Sequence, residues 1–413
     1  MFTYSGNDLY CERVPLADIA AQTGTPAYVY SAATVLENFR AYDDAFGGSI
    51  PHLVCYAVKA NSSLALLKLL ATAGAGFDIV SGGELFRVLQ AGGDPAKVVF
   101  SGVGKTADEV DYALANGIHA FNCESEGELA LIDAIAARRG VQVGFAIRVN
   151  PDVDAATHPY ISTGLTEHKF GVALAETRDV YERARQFRNL RAEGVSCHIG
   201  SQILDPSPIY EAVDKVLRLA AELRAAGHPI RRLDLGGGLG VAYREGERTP
   251  EIAPFVRAME DKLRASGLRI EVEPGRSIVG PAGVLLTRVL YRKRNGSKEF
   301  VVVDAAMNDL IRPSLYRAHH EIAPVRKNSM PQVIADVVGP VCETGDFLAR
   351  GREMANAMPG DYLAVMTAGA YGFVLSSNYN SRPRAPEVLV EGSQFRVIRA
   401  RETYGDLVRG ESA

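Results

Sequence analysis

Cysteine is scarce in this chain, with five residues among 413. They are scattered, odd in number and lack the paired spacing of metal sites; they are Cys11, Cys55, Cys123, Cys197 and Cys342. This pattern argues against both a disulfide framework and a zinc site, so we expect no metal. Four of the five lie in patterns typical of small core or strand residues, and Cys342 does not.

Blocks of like charge and long apolar runs are also missing. The formal net charge is -4 and neither sign is concentrated, so nothing indicates nucleic acid or a membrane surface as a partner. No apolar run reaches the roughly 18 residues of a membrane span. Residues 1–6 lack the positive start and apolar core of a signal peptide. We therefore expect a cytoplasmic protein without a membrane partner.

The composition that remains is that of an ordinary globular protein, 47% hydrophobic and 23% charged. A chain of 413 residues can bury a large core, and we expect two domains.

Short apolar runs alternate with amphipathic helical runs between about residues 50 and 275. Eight of these runs predict strands, at residues 53–58, 77–80, 97–100, 118–122, 143–149, 195–199, 231–235 and 269–273. Helices are predicted between them, for example at 106–116, where Thr106 and Glu109 form a capping pattern, and at 207–224. Units of this number and size fit a closed (β/α)8 TIM barrel better than an open doubly wound sheet.

The rhythm changes after Pro281. Strand patterns then follow one another with few helices between them, at 284–291, 299–304, 332–338, 362–368 and 394–400. The segment before about Tyr28 precedes the barrel and has its own strand-like piece. We therefore predict an α/β protein with a barrel domain at residues 28–280. Residues 1–27 and 281–413 are predicted to form a second, β-rich domain resembling a sandwich or barrel.

Lys59 lies at the end of the first predicted barrel strand, in the sequence YAVKAN of residues 56–61. Proteins of the α/β class place their chemistry at the carboxyl ends of strands. A desolvated lysine amine suits carbonyl chemistry, either with a substrate or as the Schiff base that holds pyridoxal phosphate. The alternative is a strand-end lysine whose amine simply extends to solvent.

Other residues with useful chemistry also lie at the ends of predicted barrel strands or directly after them. They are Asp78 with SGG at 81–83, Arg148 with Asn150, HIGS at 198–201, GGG at 236–238, and EPGR at 273–276. Scattered structural residues would show no such bias, so we expect these residues to converge on one mouth of the barrel.

A glycine run can bind the phosphate of pyridoxal phosphate. Gly236, Gly237 and Gly238 have no side chains, so their backbone N–H groups can approach a phosphate closely, and Ser201 can add a hydroxyl. A tight turn would account for the glycines equally well.

Two further residues suit the ring of the same cofactor. Glu273 offers a carboxylate that can pair with a protonated pyridine nitrogen, the interaction that makes the ring an electron sink. His198 can stack on the face of the ring. The alternatives are a solvated glutamate at a strand end and a core histidine bonded to backbone.

Two nucleotide-binding patterns are incomplete. SGVGKT at 101–106 is similar to the end of a phosphate-binding P-loop, but Val99 stands where the first glycine is needed. The glycine run at 236–240 fails the dinucleotide fingerprint because Val241 stands at the third glycine. We expect neither ATP, GTP nor a nicotinamide cofactor.

These motifs together resemble a known family, the pyridoxal-phosphate decarboxylases with an alanine-racemase-like barrel, and within it the diaminopimelate decarboxylases. The resemblance spans nearly the whole chain. It rests on YAVKAN at 56–61, FDIVSGGE at 77–84, HIGS at 198–201, GGG at 236–238, EPGR at 273–276, CETGD at 342–346 and Tyr371 with Gly372. The stretches 157–164 and 168–171 are also similar to the diaminopimelate group. Thr344 departs from the family's usual serine but keeps the hydroxyl.

The resemblance implies roles for named residues. It implies that Lys59 forms the Schiff base with pyridoxal 5'-phosphate, that Cys342 donates a proton and that His198 belongs with them to the catalytic set. The implied cofactor site comprises Lys59, Asp78, Arg148, His198, Ser201, Gly236, Gly237, Gly238, Glu273, Gly275, Arg276 and Tyr371. The implied substrate site comprises Arg276, Arg312, Tyr316, Glu343 and Tyr371.

The implied reaction is decarboxylation of meso-2,6-diaminopimelate to L-lysine and CO2, the last step of lysine biosynthesis. Arg276, Arg312 and Tyr316 would hold the carboxylate at the distal end of the substrate, and Glu343 its distal amino group. Ornithine or lysine would leave the arginine charges unpaired. Related ornithine decarboxylases have aspartate after the cysteine, where this chain has Glu343.

Three alternatives remain at this point. The nearest is a sister decarboxylase acting on another diamino acid of the ornithine, lysine or carboxynorspermidine type. A racemase would need a second base on the opposite face of the cofactor, whereas the Cys342-Glu343 pair is typical of decarboxylases. A non-catalytic regulator would be expected to have lost Lys59 or Cys342, and both are present.

The resemblance also implies a homodimer. Its active sites would be shared across the interface, with Cys342 and Glu343 supplied to each site by the partner chain.

Overall fold

The computed structural model describes residues 1–154 and 169–412. Its contacts divide the chain into two units. The barrel unit comprises residues 36–241 and 249–277, and the β unit comprises residues 1–35, 242–248 and 278–413. The domain limits predicted from the sequence, at residues 28 and 280, stay a prediction.

The N-terminal part of the β unit begins with a small antiparallel sheet. Its elements and those that follow are β1 (Phe2–Ser5), β2 (Asp8–Cys11), β3 (Val14–Pro15), α1 (Leu16–Thr23) and β4 (Ala27–Ser31). Leu16 and Ile19 of α1 are fully buried and join a core that includes Val29 of β4. The helix α2 (Ala32–Phe46) then leads into the barrel unit.

The barrel unit contains a sheet of nine parallel strands. They are β5 (His52–Ala57), β6 (Gly76–Ile79), β7 (Val98–Phe100), β8 (Ala120–Cys123), β9 (Val143–Asn150), β10 (Val172–Ala173), β11 (Leu190–Cys197), β12 (Arg232–Asp234) and β13 (Arg269–Val272). Their order is β10-β9-β11-β12-β13-β5-β6-β7-β8, and β8 also pairs with β9. That last pairing closes the barrel, while β10 adds a short extra pairing to β9. The predicted TIM barrel is confirmed.

Helices connect the barrel strands. They are α3 (Leu64–Thr72), α4 (Gly82–Gln90), α5 (Ala107–Ala115), α6 (Glu126–Arg139), α7 (Leu174–Ala184), α8 (Ser207–Ala225), α9 (Ile252–Arg257) and α10 (Glu260–Ser266), and α11 (Arg276–Val279) follows the last of these strands. The predicted capping pattern is present on α5, where Thr106 accepts from the Glu109 N–H and the Glu109 side chain accepts in return from Thr106. Ser63, at the start of α3, makes no side-chain capping hydrogen bond.

One barrel strand is longer than its sequence pattern indicates. The structure begins β11 at Leu190, whereas the prediction began at residue 195. Arg191 and Glu193 lie in this first part, and the register shifts between Ala192 and Gly194. The first part of β11 was missed because its charged residues and its bulge leave neither a continuous apolar run nor a regular alternation of apolar and polar residues.

The rest of the β unit is a mixed sheet. Its elements are β14 (Gly283–Asn295), β15 (Lys298–Val303), α12 (Arg312–Tyr316), β16 (Ile322–Pro324), β17 (Val333–Val338), β18 (Phe347–Met354), β19 (Tyr362–Val365), β20 (Glu387–Glu391), β21 (Gln394–Arg399) and α13 (Tyr404–Leu407). The main strand order is β18-β17-β15-β14-β4-β20-β21, with β19 pairing to β14 and β16. The N-terminal strand β4 thus lies between two C-terminal strands, β14 and β20.

Short 3-10 turns complete the described elements. They are Gly47–Ser49, Val58–Ala60, Pro95–Lys97, Phe373–Leu375 and Tyr379–Ser381. No helix in residues 1–154 or 169–412 is long and apolar enough to cross a membrane.

Candidate active site

Lys59 lies in the 3-10 turn directly after β5 and forms an ion pair with Asp78 of β6. The Lys59 side chain is 35% exposed, whereas that of Asp78 is fully buried. The amine therefore pairs with a buried carboxylate instead of extending freely into solvent. Among the described residues, the second carboxylate oxygen of Asp78, Oδ1, is buried without a hydrogen-bond partner. The pair can thus accept a further donor at the barrel mouth.

Glu273 follows β13 and is one of a group of buried carboxyls. Asn122 Nδ2 donates to Asp234 Oδ2 at 2.7 Å and to Glu273 Oε1 at 3.2 Å, so one amide bridges two carboxyl groups. Ser101 Oγ also donates to Glu273 Oε1, at 3.2 Å. Burial raises the pKa of Glu273 well above its usual range, and the nearby charges of Asp234 and Asp78 raise it further. The neighbouring charges of Glu273 include two carboxyls, Asp234 and Asp78, and one cation, Lys59. This excess of acidic groups can stabilise a bound cationic ring nitrogen.

Sequence reasoning missed the partners of Glu273. Asp234 and Asn122 stand at the ends of the predicted strands 231–235 and 118–122, and Ser101 directly follows the strand 97–100. The rule that identified the other residues, polar side chains at strand ends, would have found these as well.

His198 lies directly after β11 with its ring held by the glycine run. Its Nδ1 accepts a hydrogen bond from the Gly237 N–H at 3.2 Å. Burial lowers the pKa of His198 well below its usual range, and the charges of Arg148 and Lys59 lower it further. The imidazole is therefore neutral, with its hydrogen on Nε2, and its face can lie against an aromatic ring.

The glycine run packs too closely on neighbouring backbone for any side chain. A Cβ at Gly236 would lie 2.5 Å from the Cys197 carbonyl oxygen, and one at Gly237 would lie 2.3 Å from that of Glu273. A Cβ at Gly238 would lie 2.5 Å from the Gly200 oxygen. The tight turn accounts for these glycines by itself, and the phosphate role stays a prediction.

Arg276 and Ser201 lie beside this turn. Arg276, the first residue of α11, donates from Nη2 to Ser201 Oγ at 3.0 Å. Ser201 follows Gly200, whose carbonyl oxygen is packed against Gly238. Gly275 is equally constrained, because a Cβ there would lie 2.9 Å from the Cβ of Ala60. A cation and a hydroxyl next to a side-chain-free turn are suited to an anion such as phosphate.

Arg148, at the end of β9, is bound within the barrel unit. Its Nη1 donates to Glu124 Oε1 at 3.1 Å, and its guanidinium lies 4.7 Å from the ring centre of Phe170. Its Nη2 donates to the His198 carbonyl oxygen at 3.4 Å. Arg148 therefore contacts the His198 segment directly. Of the stretches that resemble the diaminopimelate group, residues 157–164 and His168 lie outside the described residues.

The other predicted residues lie in the β unit. Arg312 and Tyr316 are the first and last residues of α12, Cys342 and Glu343 lie between β17 and β18, and Tyr371 precedes a 3-10 turn. Arg312 is buried. Of the five cysteines only Cys342 is exposed, as its sequence pattern predicted, and the other four are buried.

Two residues absent from the sequence prediction hold the Cys342-Glu343 pair. Asn380 Oδ1 accepts from the Cys342 backbone N–H at 2.8 Å. The Tyr379 hydroxyl donates to Glu343 Oε2 at 3.2 Å. Asn380 has a φ of 55°, a conformation that asparagine tolerates better than most residues. No motif in the sequence marks these two residues.

Comparison with known proteins gives consistent results. Residues 32–280 match the family model described as the pyridoxal-binding domain of pyridoxal-dependent decarboxylases. Diaminopimelate decarboxylase of Pseudomonas aeruginosa is 55% identical over 411 residues, covering 100% of this chain and 98% of that protein. The enzyme of the same name from Neisseria meningitidis is 50% identical over 405 residues, covering 98% of this chain and 99% of that protein.

Solved structures show the same likeness. The diaminopimelate decarboxylase of Helicobacter pylori complexed with L-lysine has a TM-score of 0.91 and 44% identity, covering 95% of this chain and 98% of that chain. That of M. jannaschii in co-complex with L-lysine has a TM-score of 0.94 and 35% identity, covering 100% of this chain and 98% of that chain.

Proposed function

Because this chain belongs to the family of pyridoxal-dependent decarboxylases, we propose that it decarboxylates meso-2,6-diaminopimelate to L-lysine and CO2, the last step of lysine biosynthesis. The observation that carries this assignment is its likeness to diaminopimelate decarboxylases along the whole chain, in both sequence and structure.

The cofactor is pyridoxal 5'-phosphate, and the residues of the barrel mouth fit it. When bound, it supplies an electron-withdrawing ring that accepts the electron pair left by the departing CO2. The Lys59 amine would hold it covalently. Glu273 would face the ring nitrogen, and Gly236 to Gly238, Ser201 and Arg276 would surround the phosphate.

The charges of the chain's own residues favour these roles. The carboxylate of Asp78 forms an ion pair with Lys59 Nζ and so stabilises the positive charge of the protonated amine. Glu273 and its acidic neighbours stabilise positive charge at the ring nitrogen, because they are buried where a counter-charge acts strongly. The neutral ring of His198 adds no positive charge and is fixed by the Gly237 N–H.

The β unit would supply proton donation and substrate selection. Cys342 Sγ would deliver a proton to the carbon that has lost CO2. Glu343, oriented by Tyr379, would bind the distal amino group, and Arg312 would bind the distal carboxylate. Arg276 and Tyr316 would bind the same carboxylate. Tyr371 would contact both the cofactor and the substrate.

We also propose a homodimer with shared active sites, in the cytoplasm and without nucleic acid or membrane as partner. The exposure of Cys342 and Glu343 in the single chain supports the shared site, since a proton donor must be screened from water during the reaction.

The experiment that tests the function is product analysis with the purified holoenzyme. We expect L-lysine and CO2 from meso-diaminopimelate, and turnover lower by at least about a hundredfold with ornithine, lysine or carboxynorspermidine. Lys59→Ala is the control, because alanine has no amine. It should lose both turnover and the cofactor label left by borohydride reduction. Preferred turnover of ornithine, lysine or carboxynorspermidine would replace the assignment with that of a sister decarboxylase.

A further inference from the structure

Arg312 is held between two rings inside the β unit. Its side chain is buried, and its Nη1 lies 2.9 Å from His320 Nε2. The centre of its guanidinium lies 4.5 Å from the ring centre of Tyr243. The two rings also touch each other, edge to face, with centres 5.0 Å apart.

The hydrogen bonds fix the protonation of His320. Its Nδ1 lies 2.8 Å from the Met366 carbonyl oxygen, which can only accept, so Nδ1 carries a hydrogen. A guanidinium can only donate, so Nε2 must present a lone pair to Arg312. His320 is therefore the neutral tautomer with hydrogen on Nδ1, and it is fully buried.

This arrangement sets both the position and the plane of the guanidinium. Nε2 fixes one nitrogen, while the ring of Tyr243 supports the face of the ion. The guanidinium is rigid and planar, so fixing one nitrogen and one face fixes the direction of the remaining N–H groups. An arginine ordered in advance loses less rotamer freedom when it binds a carboxylate.

We propose that His320 is a positioning residue which, through Nε2 and together with Tyr243, orients Arg312 for the carboxylate at the distal end of the substrate. This inference rests on the proposed function, because it takes Arg312 as the residue that binds this carboxylate. It assigns part of the selection for substrates with two amino acid ends to a histidine that need not contact the substrate.

The test compares two ligands that differ in this carboxylate. L-lysine keeps it, and cadaverine is the same diamine without it. Binding of each to the holoenzyme is measured by calorimetry. Arg312→Ala provides the reference, and it should weaken L-lysine binding strongly and leave cadaverine within about twofold.

Two substitutions of His320 separate its two nitrogens. Asparagine reaches the position of Nδ1 and can still donate to Met366, but it offers no acceptor at Nε2. Glutamine reaches the position of Nε2 and can still accept from Arg312. We expect His320→Asn to weaken L-lysine binding about tenfold and His320→Gln to weaken it by less than about threefold, with cadaverine binding and cofactor content unchanged in both.

Two further variants complete the design. Tyr243→Leu removes the supporting ring and should also weaken L-lysine binding without affecting cadaverine, even if His320→Asn fails to fold. His319→Asn changes the adjacent histidine, which contacts Glu321 and Arg352, and should change neither affinity.

The possible results distinguish a failure of the positioning role of His320 from a failure of the proposed function. Equal losses for both ligands, equal behaviour of His320→Asn and His320→Gln, or unchanged L-lysine binding in His320→Asn would each overturn the positioning role. A wild-type holoenzyme that binds L-lysine no better than cadaverine, or does not decarboxylate diaminopimelate, contradicts the proposed function instead.

Discussion

Two buried glutamates, one in β13 and one directly after it, differ in charge. Glu271 accepts from Arg232 at 2.7 Å and lies 2.8 Å from His119 Nε2. Burial acts to raise its pKa, but Arg232 and His119 together lower the pKa of Glu271 to about 2. Two residues later, burial and the neighbouring acids raise the pKa of Glu273, so the neutral acid is favoured. The barrel interior thus holds Glu271 as an anion, whereas Glu273 is a neutral acid that can lose its proton when a cationic ring nitrogen binds beside it.

We predict opposite effects for the two matched amide substitutions. Glu273→Gln should leave the free energy of unfolding of the cofactor-free chain nearly unchanged at neutral pH, because a neutral amide replaces a neutral acid. Its turnover should fall at least about a hundredfold, because an amide does not balance a cationic ring nitrogen. Glu271→Gln should instead destabilise the fold by about 3–5 kcal/mol, because it leaves the buried Arg232 unpaired.

Denaturant unfolding of the cofactor-free chains and kcat of the holoenzymes measure these effects. Ser101→Ala serves as the control, since it removes one weak donor to Glu273 and should change kcat by less than about tenfold. A Glu273→Gln variant that unfolds as easily as Glu271→Gln would contradict the neutral state of Glu273.

At the scale of single residues, the sequence motifs predicted the candidate site residues but not the residues that hold them in place. Lys59 directly follows a predicted strand and Asp78 lies in the next one, and their proximity is explained by the parallel pairing of β5 with β6. His320 and Asn380 act through contacts made in the folded chain, and no local spacing or motif indicates such contacts. Partners of this kind can be identified only from the structure.

The helix α5 begins with a capping box that the sequence pattern predicts directly. Thr106 Oγ1 accepts from the Glu109 N–H at 3.3 Å, and Glu109 Oε2 accepts from the Thr106 N–H at 3.0 Å. We predict that Thr106→Ala lowers the free energy of unfolding by about 1 kcal/mol, because the Glu109 N–H at the helix start loses its acceptor.

Equilibrium unfolding in denaturant measures this loss, and Thr72→Ala is the matched control. Thr72 is exposed at the end of α3, where its hydroxyl donates to the Lys68 carbonyl oxygen, so its loss should change the free energy by less than about 0.5 kcal/mol. Equal losses in the two variants would show that the cap has no special role.

The sequence predicted the barrel strands better than those of the β unit. Barrel strands are buried on both faces, so each is a short apolar run between helical patterns. In the β unit β18 was missed because FLARGREM contains two arginines and a glycine, and its exposed residues break the pattern. β16 was missed because it has three residues and ends at Pro324, and β20 was missed because it directly follows Pro386. In all three, sheet pairing from distant parts of the chain overrides a weak local signal.

At the scale of the whole molecule, a buried aspartate should make stability depend on pH. Asp309 is 1% exposed, and burial raises its pKa from 3.8 to about 7. Because the folded-state value is the higher one, its contribution to stability is fully present below about pH 4 and is lost as the pH rises to about 7. The contribution of Asp309 to the stability of the wild-type protein should therefore be lost across this range.

Asp309→Asn tests this titration, because asparagine cannot ionise and can still accept from the Ala306 N–H. The free energy of unfolding of the variant minus that of wild type should increase by on the order of 2–4 kcal/mol between pH 4 and pH 8. Urea unfolding of both proteins across this range measures the difference. A difference that stays constant with pH would show that Asp309 is ionised throughout.

The last prediction concerns assembly, since Lys59 belongs to the barrel unit and the exposed Cys342 to the β unit. If a two-fold dimer shares its sites as proposed, a Lys59→Ala chain paired with a Cys342→Ala chain has one site with both defects and one with neither. Two inactive variants should then recover up to about a quarter of wild-type activity on mixing, because about half of the dimers are mixed and half of their sites are intact.

Lys59→Ala mixed with His198→Ala is the matched control. Both residues lie in the barrel unit, so every site keeps one defect and no activity should return. Subunit exchange is verified by native mass spectrometry; exchange without recovery in the first mixture would mean that Lys59 and Cys342 act within one chain.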